Sequence, residues 1–257
     1  IIINPRGMFG SSALSKKKFK KLLFIKLANA ISFYKNICWH ISNEVELFEL
    51  KNNIKVVSKR YIIPNLPKVL KYSNNKIIDN EQLRLISVCR INEIKNIHFV
   101  LELLKDINIK CHYIIIGFIE DDNYYQKLKR IVKLLPKNIK VDFTGHLKSN
   151  EIEIHYYNSD LFISSSLNEN YGHSIVESLS SGLPVLISNN CPWTGLEESF
   201  AGFRIRLDKI EFKEKILFFN NLNQDEYKKF NLGAKTYFNN YMSPDLHKNN
   251  YLNLLSS

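Results

Sequence analysis

The chain has 257 residues, enough for one large domain or about two. With 45% hydrophobic and 24% charged residues it is built to bury a core, which excludes a disordered or low-complexity polypeptide. Residues 1–75 hold 14 Lys and Arg against three Asp and Glu, the whole of the +11 net charge, while the rest balances at 22 of each sign. That asymmetry points to two units, the first facing nucleic acid, anionic lipid or an anionic glycan, or simply presenting a solvated basic face. Cys38, Cys89, Cys111 and Cys191 form no CxxC pair or zinc spacing, so neither a disulfide scaffold nor a zinc site is indicated. Within these residues no signal-peptide pattern and no apolar run of bilayer-spanning length is recognised, and a cytoplasmic protein is expected.

The chain opens on the strand-like run Ile1-Ile2-Ile3, which reads as a start in mid-domain, and turns at Asn4-Pro5-Arg6-Gly7. Lys16 to Ala30 is a basic amphipathic helix with Phe19, Leu22, Leu23 and Ile25–Leu27 on its apolar side. A short strand is expected within 37–42, then a helix from Asn43 with Glu44 and Glu46 near its positive end. Residues 64–80, with two prolines and a polar stretch, read as a linker. From residue 81 the rhythm is regular. Strands are expected at 83–89, 112–116, 139–143, 160–165 and 184–188, with a sixth near 203–207. Helices fall at 96–105, 123–135, 150–157 and 173–181. Short, continuously apolar strands alternating with helices predict a parallel sheet covered on both faces. Three more helices are expected, at about 209–219, 224–239 and 244–255.

In such a sheet ligands bind beyond the carboxyl ends of the strands. The residues placed there include Arg90, Asn92, Glu93 and Lys95 after the first strand, Gly117 and Glu120 after the second, and Gly145 and His146 after the third. The segment from Glu169 to Glu177 follows the fourth. Gly172 allows a tight turn before a helix, so the amides of Gly172, His173 and Ser174 suit an oxyanion. Arg90 and Lys95 suit a diphosphate, or else form a surface pair with Glu93. Glu177, one turn into the helix, suits a ribose diol or simply complements the helix dipole. No Walker sequence, GxGxxG, GxSxG or HExxH occurs. A Ser166-His173-Asp160 triad is not expected, because Asp160 begins its strand and falls at the opposite end.

Together LRLISVCRINEIKN (83–96), VDFTG (141–145) and ENYGHSIVESLSSGLPV (169–185) resemble the donor half of a retaining GT-B glycosyltransferase of family 4, the glycosyl transferases group 1. The R-x4-K and E-x7-E spacings and the following SGLPV carry the likeness, strongest over about residues 80–190. It implies an α/β chain of GT-B type: a complete Rossmann-like donor domain at 81–240, preceded by the last part (1–63) of a truncated acceptor domain and the linker 64–80. Residues 241–257 would form a crossover helix. It implies Glu169, Arg90 and Lys95 as catalytic residues. Asn170, Tyr171, Gly172, His173, Ser174, Glu177 and Gly117 would bind the donor. No cofactor and no metal are implied, and the donor would be a UDP- or GDP-linked sugar. The product would be a retained linkage to a glycan or lipid-linked acceptor, in cell-surface polysaccharide or lipopolysaccharide synthesis. Lys16–Phe24 would then contact an anionic membrane at the inner face of the cytoplasmic membrane. A nucleotide-sugar-binding remnant and a sugar-nucleotide epimerase of the same fold are the alternatives. No nucleic-acid partner is expected, since the balanced remainder carries no recognisable nucleic-acid-binding motif. Two positions depart from the family pattern: the glycine usual two residues after Gly117 is Ile119, and the one after Glu169 is Asn170.

Overall fold

The computed structural model describes residues 1–10, 13–14, 18–55, 57, 59–71, 76–78 and 81–256. The chain divides into two compact units, residues 1–66 with 244–257, and residues 67–243.

The first unit is a three-stranded parallel sheet in the order β1 (Ile2–Ile3), β2 (Cys38–Ile41), β3 (Lys59–Ile62). Helix Lys18–Ala30 covers it, and Ile25 and Ala28 join Trp39, Ile41 and Leu50 in the core. Lys16 and Lys17, at the start of the expected basic helix, lie outside the described residues. Helix Glu44–Asn53 starts where expected because the Asn43 side chain accepts the Glu46 amide at 2.8 Å, satisfying an otherwise orphaned donor. The C-terminal segment is not one helix. A 3-10 turn, Pro244–His247, precedes helix Lys248–Leu255, which returns to this unit. There Leu254 packs with Cys38 and Ile63, and the Tyr251 hydroxyl donates to the Pro64 carbonyl at 2.8 Å.

The second unit is a six-stranded, all-parallel sheet. In chain order its strands are β4 (Leu83–Val88), β5 (Cys111–Ile116), β6 (Ile139–Gly145), β7 (Leu161–Ser164), β8 (Val185–Ser188) and β9 (Gly202–Ile205). In space they run β6-β5-β4-β7-β8-β9. This is the 3-2-1-4-5-6 order of a Rossmann sheet, whose direction of winding reverses between β4 and β7. Apolar residues on its two faces fill separate cores. One is built on Leu85, Tyr113, Ile115 and Ile163, the other on Ile86, Phe162, Val176 and Ile187.

The expected linker 64–80 needs correction. From Pro67 the chain belongs to the second unit. Leu70 is buried in the second core, and its amide donates to the Ser180 hydroxyl at 2.9 Å. Gln224 clamps residues 76–78 by accepting from the Ile78 amide and donating to the Lys76 carbonyl. An apolar residue at position 70 makes the segment pack where its polar neighbours suggest a free tether; residues 72–75 and 79–80 lie outside the described set.

Candidate functional site

The switch between β4 and β7 brings two loops together beyond the strand ends. After β4, Ile91 pairs with Ile119, and Asn92 caps a 3-10 turn at Glu93–Lys95 by accepting the Lys95 amide at 3.2 Å. Asn96 closes the turn in the left-handed region at φ 52°, and its carbonyl accepts from the buried Ser165 hydroxyl at 2.8 Å. The Leu167 amide donates to the Ile94 carbonyl at 2.8 Å. These ties between loops some seventy residues apart in sequence carry the Lys95 ammonium to the Glu169 carboxylate, where the two form an ion pair. Both side chains are mostly shielded, 16% and 19% exposed.

Arg90 lies at the outer edge, 62% exposed, and donates to Glu120 at 2.7 Å; Asn92 donates to the same carboxylate. Glu93, the partner considered from sequence, makes neither bond with these cations. Lys95 and Arg90 turn instead to Glu169 and Glu120, acids that only the fold brings near.

Glu169 leads into Gly172, which starts helix His173–Ser180 with φ 75° and ψ 61°. A Cβ there would sit 2.7 Å from Ile175 Cδ1 and 3.2 Å from Glu169 Cγ, so glycine keeps the loop tight over the helix N-terminus. Tyr171 is held by Trp193, whose indole N–H donates to the Tyr171 carbonyl at 2.6 Å, and its ring meets the His173 ring. Asn170 and His173 are exposed, and Ser174 is partly buried. One turn on, Glu177 is half-buried. The buried Tyr156 hydroxyl lies 3.1 Å from the Ser174 carbonyl and 3.3 Å from Glu177 Oε2, and can donate to either. Burial raises the Glu177 carboxyl above its ordinary range, against the opposing pull of the Tyr156 bond and of Lys68.

Gly117 has a structural reason for its identity. At φ 150° a Cβ would lie 1.8 Å from the Cys89 carbonyl oxygen. It also lines, with Val88, Arg90, Phe118, His146 and Leu147, an open, mainly apolar groove beside the two loops. Phe118, Leu147 and Tyr156 are site residues that sequence reasoning missed; their place after a strand or on a neighbouring helix was the only available signal.

Several groups are excluded from nucleophilic chemistry. Burial pushes the Cys89 thiol up to about 12, so it stays protonated. Ser165 and Ser188 spend their hydroxyls on the carbonyls of Asn96 and Ser166. Asp160 lies at the far end of the sheet in a bidentate bond to Arg84, at 2.7 and 2.9 Å. Asp160 therefore does not join Ser166 and His173 in a triad, as the strand direction predicts. Among the described residues no His, Cys, Asp and Glu cluster could hold a metal ion.

The parallel sheet wound in this order has the fold of GT-B glycosyltransferases, and solved structures agree. The Anabaena protein HepE in complex with UDP and glucose superposes with a TM-score of 0.74 over 100% of this chain and 71% of its own, at 14% identity. A glycosyltransferase from Rickettsia africae gives 0.69 over 90% of this chain and 66% of its own, at 20% identity. Residues 68–204, more than half of the chain, match the family Glycosyl transferases group 1, and the chain belongs to that family. Alpha-monoglucosyldiacylglycerol synthase of Streptococcus pneumoniae is 29% identical over 158 residues, 55% of this chain and 35% of that protein. Sulfoquinovosyl transferase of Arabidopsis thaliana is 36% identical over 86 residues, 34% of this chain and 16% of that protein. The matched region thus spans about a third or less of these curated relatives.

Proposed function

We propose that the second unit binds a nucleotide-diphosphate sugar and that the protein transfers its hexosyl group with retention of configuration. The observation that carries this is the Lys95–Glu169 pair at the sheet's switch point, with Gly172 and Glu177 on the adjoining helix. Arg90 and Lys95 grip the diphosphate and stabilise the charge that develops as the nucleotide leaves. The amides at Gly172, His173 and Ser174 add the positive end of a helix. Glu177 receives the ribose hydroxyls. The base lies in the groove of Val88, Phe118, His146 and Leu147, and Gly117 lets it approach the strand end. Glu169 faces the transferring sugar, with Asn170 and Tyr171 shaping the loop around it. Release of Glu169 from Lys95 as the diphosphate arrives frees its carboxylate for the sugar. Two fixed cations neutralise the leaving group, so this reading requires no cofactor and no metal.

The HepE complex with UDP and glucose favours UDP over GDP as the carrier. The name of the pneumococcal relative favours a lipid acceptor over a free glycan, and the pathway proposed is cell-surface polysaccharide or lipopolysaccharide synthesis. The basic segment Lys16–Phe24 would then rest against an anionic membrane at the cytoplasmic face. Among the described residues no helix is long and apolar enough to cross a membrane. A sugar-nucleotide epimerase would use the same donor site, but membership of a transferase family favours transfer.

Thermal unfolding with nucleotide tests the donor reading. UDP at a hundred times its dissociation constant adds about 2.7 kcal/mol, roughly 5–10 °C for a chain of this size. GDP is expected to give less at equal concentration. A melting temperature unmoved by UDP, GDP and the corresponding sugar nucleotides refutes the donor site.

A further inference from the structure

Glu177 is a half-buried carboxylate whose hydrogen-bonding capacity the fold uses only in part. Its Oε2 lies 3.3 Å from the Tyr156 hydroxyl, while Oε1 accepts no hydrogen bond among the described residues. A carboxylate offers about four lone-pair sites, so most of its capacity is open to a ligand. Tyr156 comes from a different element, helix Ser149–Asn158, and is 1% exposed. Its ring stacks on Phe162 of β7, with centroids 6.3 Å apart and planes at 24°. A ring packed in this way fixes its hydroxyl between the Ser174 carbonyl, at 3.1 Å, and Glu177. That hydroxyl keeps its proton at neutral pH, because burial and then the Glu177 charge raise it well above the ordinary phenol range. Lys68 is the other group facing Glu177 from a neighbouring element; its ammonium pairs with Glu153 at 3.1 Å, so it lends charge and no hydrogen bond. A glutamate on a helix has several staggered rotamers open to it. A fixed donor beneath Glu177 selects one.

We propose that Tyr156 is a positioning residue that makes the site selective for ribonucleotides over 2′-deoxyribonucleotides. Its hydroxyl holds one oxygen of Glu177, so the carboxylate meets the ribose with its remaining lone pairs and accepts from the 2′ and 3′ hydroxyls together. The inference rests on the assignment of Glu177 to the ribose proposed above. A carboxylate held for two donors is left with an unmet acceptor when the 2′ hydroxyl is missing, and a desolvated acceptor without a partner is costly. A carboxylate free to swing turns to the remaining hydroxyl or to water, and discriminates less. A hydroxyl that only closed the turn at Ser174 would have no bearing on the sugar of the nucleotide.

The probes are UDP and 2′-deoxy-UDP, titrated calorimetrically into wild type, Tyr156→Phe and Glu177→Gln. Wild type is expected to bind UDP at least about tenfold more tightly than the deoxy analogue. Tyr156→Phe keeps the stacked ring and removes only the hydroxyl, and is expected to cut that ratio about threefold or more. Added to Glu177→Gln, the same substitution changes the ratio no further, because the two residues act as one unit. In wild type the ratio rises with pH as Glu177 ionises. The Tyr156 bond lowers the Glu177 carboxyl, so its loss moves that rise to higher pH. A hydroxyl that merely supports helix His173–Ser180 lowers the melting temperature and leaves the ratio and its pH dependence unchanged, and that result overturns the proposal. Equal wild-type affinity for UDP and 2′-deoxy-UDP overturns it as well. A wild type that binds neither nucleotide refutes the donor site itself, so the two failures are read separately. If Tyr156→Phe fails to fold, 3-fluorotyrosine at position 156, a stronger donor of the same shape, decides: it is expected to move the rise to lower pH, and an unmoved rise overturns the proposal.

Discussion

Glu177→Gln separates what this acid does for the fold from what it does for the nucleotide, because the two effects have opposite signs. Burial raises its carboxyl, with Tyr156 and Lys68 opposing. A raised folded-state value means that the group's contribution to stability is present below its unfolded value and lost as pH rises through the folded one. At neutral pH the ionised Glu177 therefore costs stability, and the glutamine removes that cost while keeping an oxygen for the Tyr156 hydroxyl. Urea unfolding is expected to show the variant gaining in stability over wild type as pH rises through the Glu177 titration to neutral pH, where wild type carries the buried charge. Binding moves the other way. A hydrogen bond to a charged acceptor contributes about 1.5–3 kcal/mol, so replacing carboxylate by amide weakens UDP binding by roughly 10- to 150-fold. Isothermal titration calorimetry on the same two proteins measures it. In wild type the affinity for UDP also rises with pH through the Glu177 titration, and in the variant this rise is absent. A variant less stable than wild type at pH 7 that binds UDP equally well refutes the assignment of Glu177 to the ribose.

Gly117→Ala is expected to destabilise the second unit by about 3 kcal/mol or more, since it combines a disfavoured φ with backbone overlap at Cys89; chemical denaturation measures it, and a loss below about 1 kcal/mol refutes the overlap. Lys76 gives a test by pH. Its ammonium is buried without a hydrogen-bond partner among the described residues, and desolvation lowers it to about 7, with Asp160 opposing and Arg84 adding to the fall. A lowered value places its contribution to stability above the unfolded value, and that contribution is lost as pH falls towards about 7. Wild type therefore becomes less stable between pH 10 and pH 7, while Lys76→Met flattens that slope and is more stable at pH 7 by on the order of 2 kcal/mol. Parallel slopes for the two proteins contradict the burial of a titrating amine.

The alternation of strands and helices after residue 81 was legible because central strands such as Leu161–Ser164 and Val185–Ser188 are apolar on both faces, as a doubly covered sheet requires. The same rhythm places Arg90, Lys95, Glu169 and Glu177 at one edge. It does not say which cation meets which acid. Glu93 is two residues from Lys95, yet the bond goes to Glu169, because the Ser165–Asn96 and Leu167–Ile94 ties fold one loop over the other. Tyr156 was hidden for a similar reason. It reads as a core aromatic in a short helix, and only the packed structure shows its hydroxyl emerging beneath Glu177. At 64–80 the prolines and asparagines outweigh Leu70 in any local reading, while in the fold that one side chain and Gln224 hold the segment down.

The two cations of the proposed donor site already have anions, Glu120 for Arg90 and Glu169 for Lys95. Nucleotide binding to bare lysines and arginines expels dissolved chloride and weakens steeply as salt is added. Here the diphosphate displaces carboxylates tethered to the chain, whose local concentration no buffer changes. The affinity for UDP should consequently vary little between dilute and physiological salt, and Glu120→Gln should restore an ordinary salt dependence while tightening binding in dilute buffer. On that reading the ion pairs would act as a built-in ionic atmosphere, making the strength of the site depend less on the solution around it.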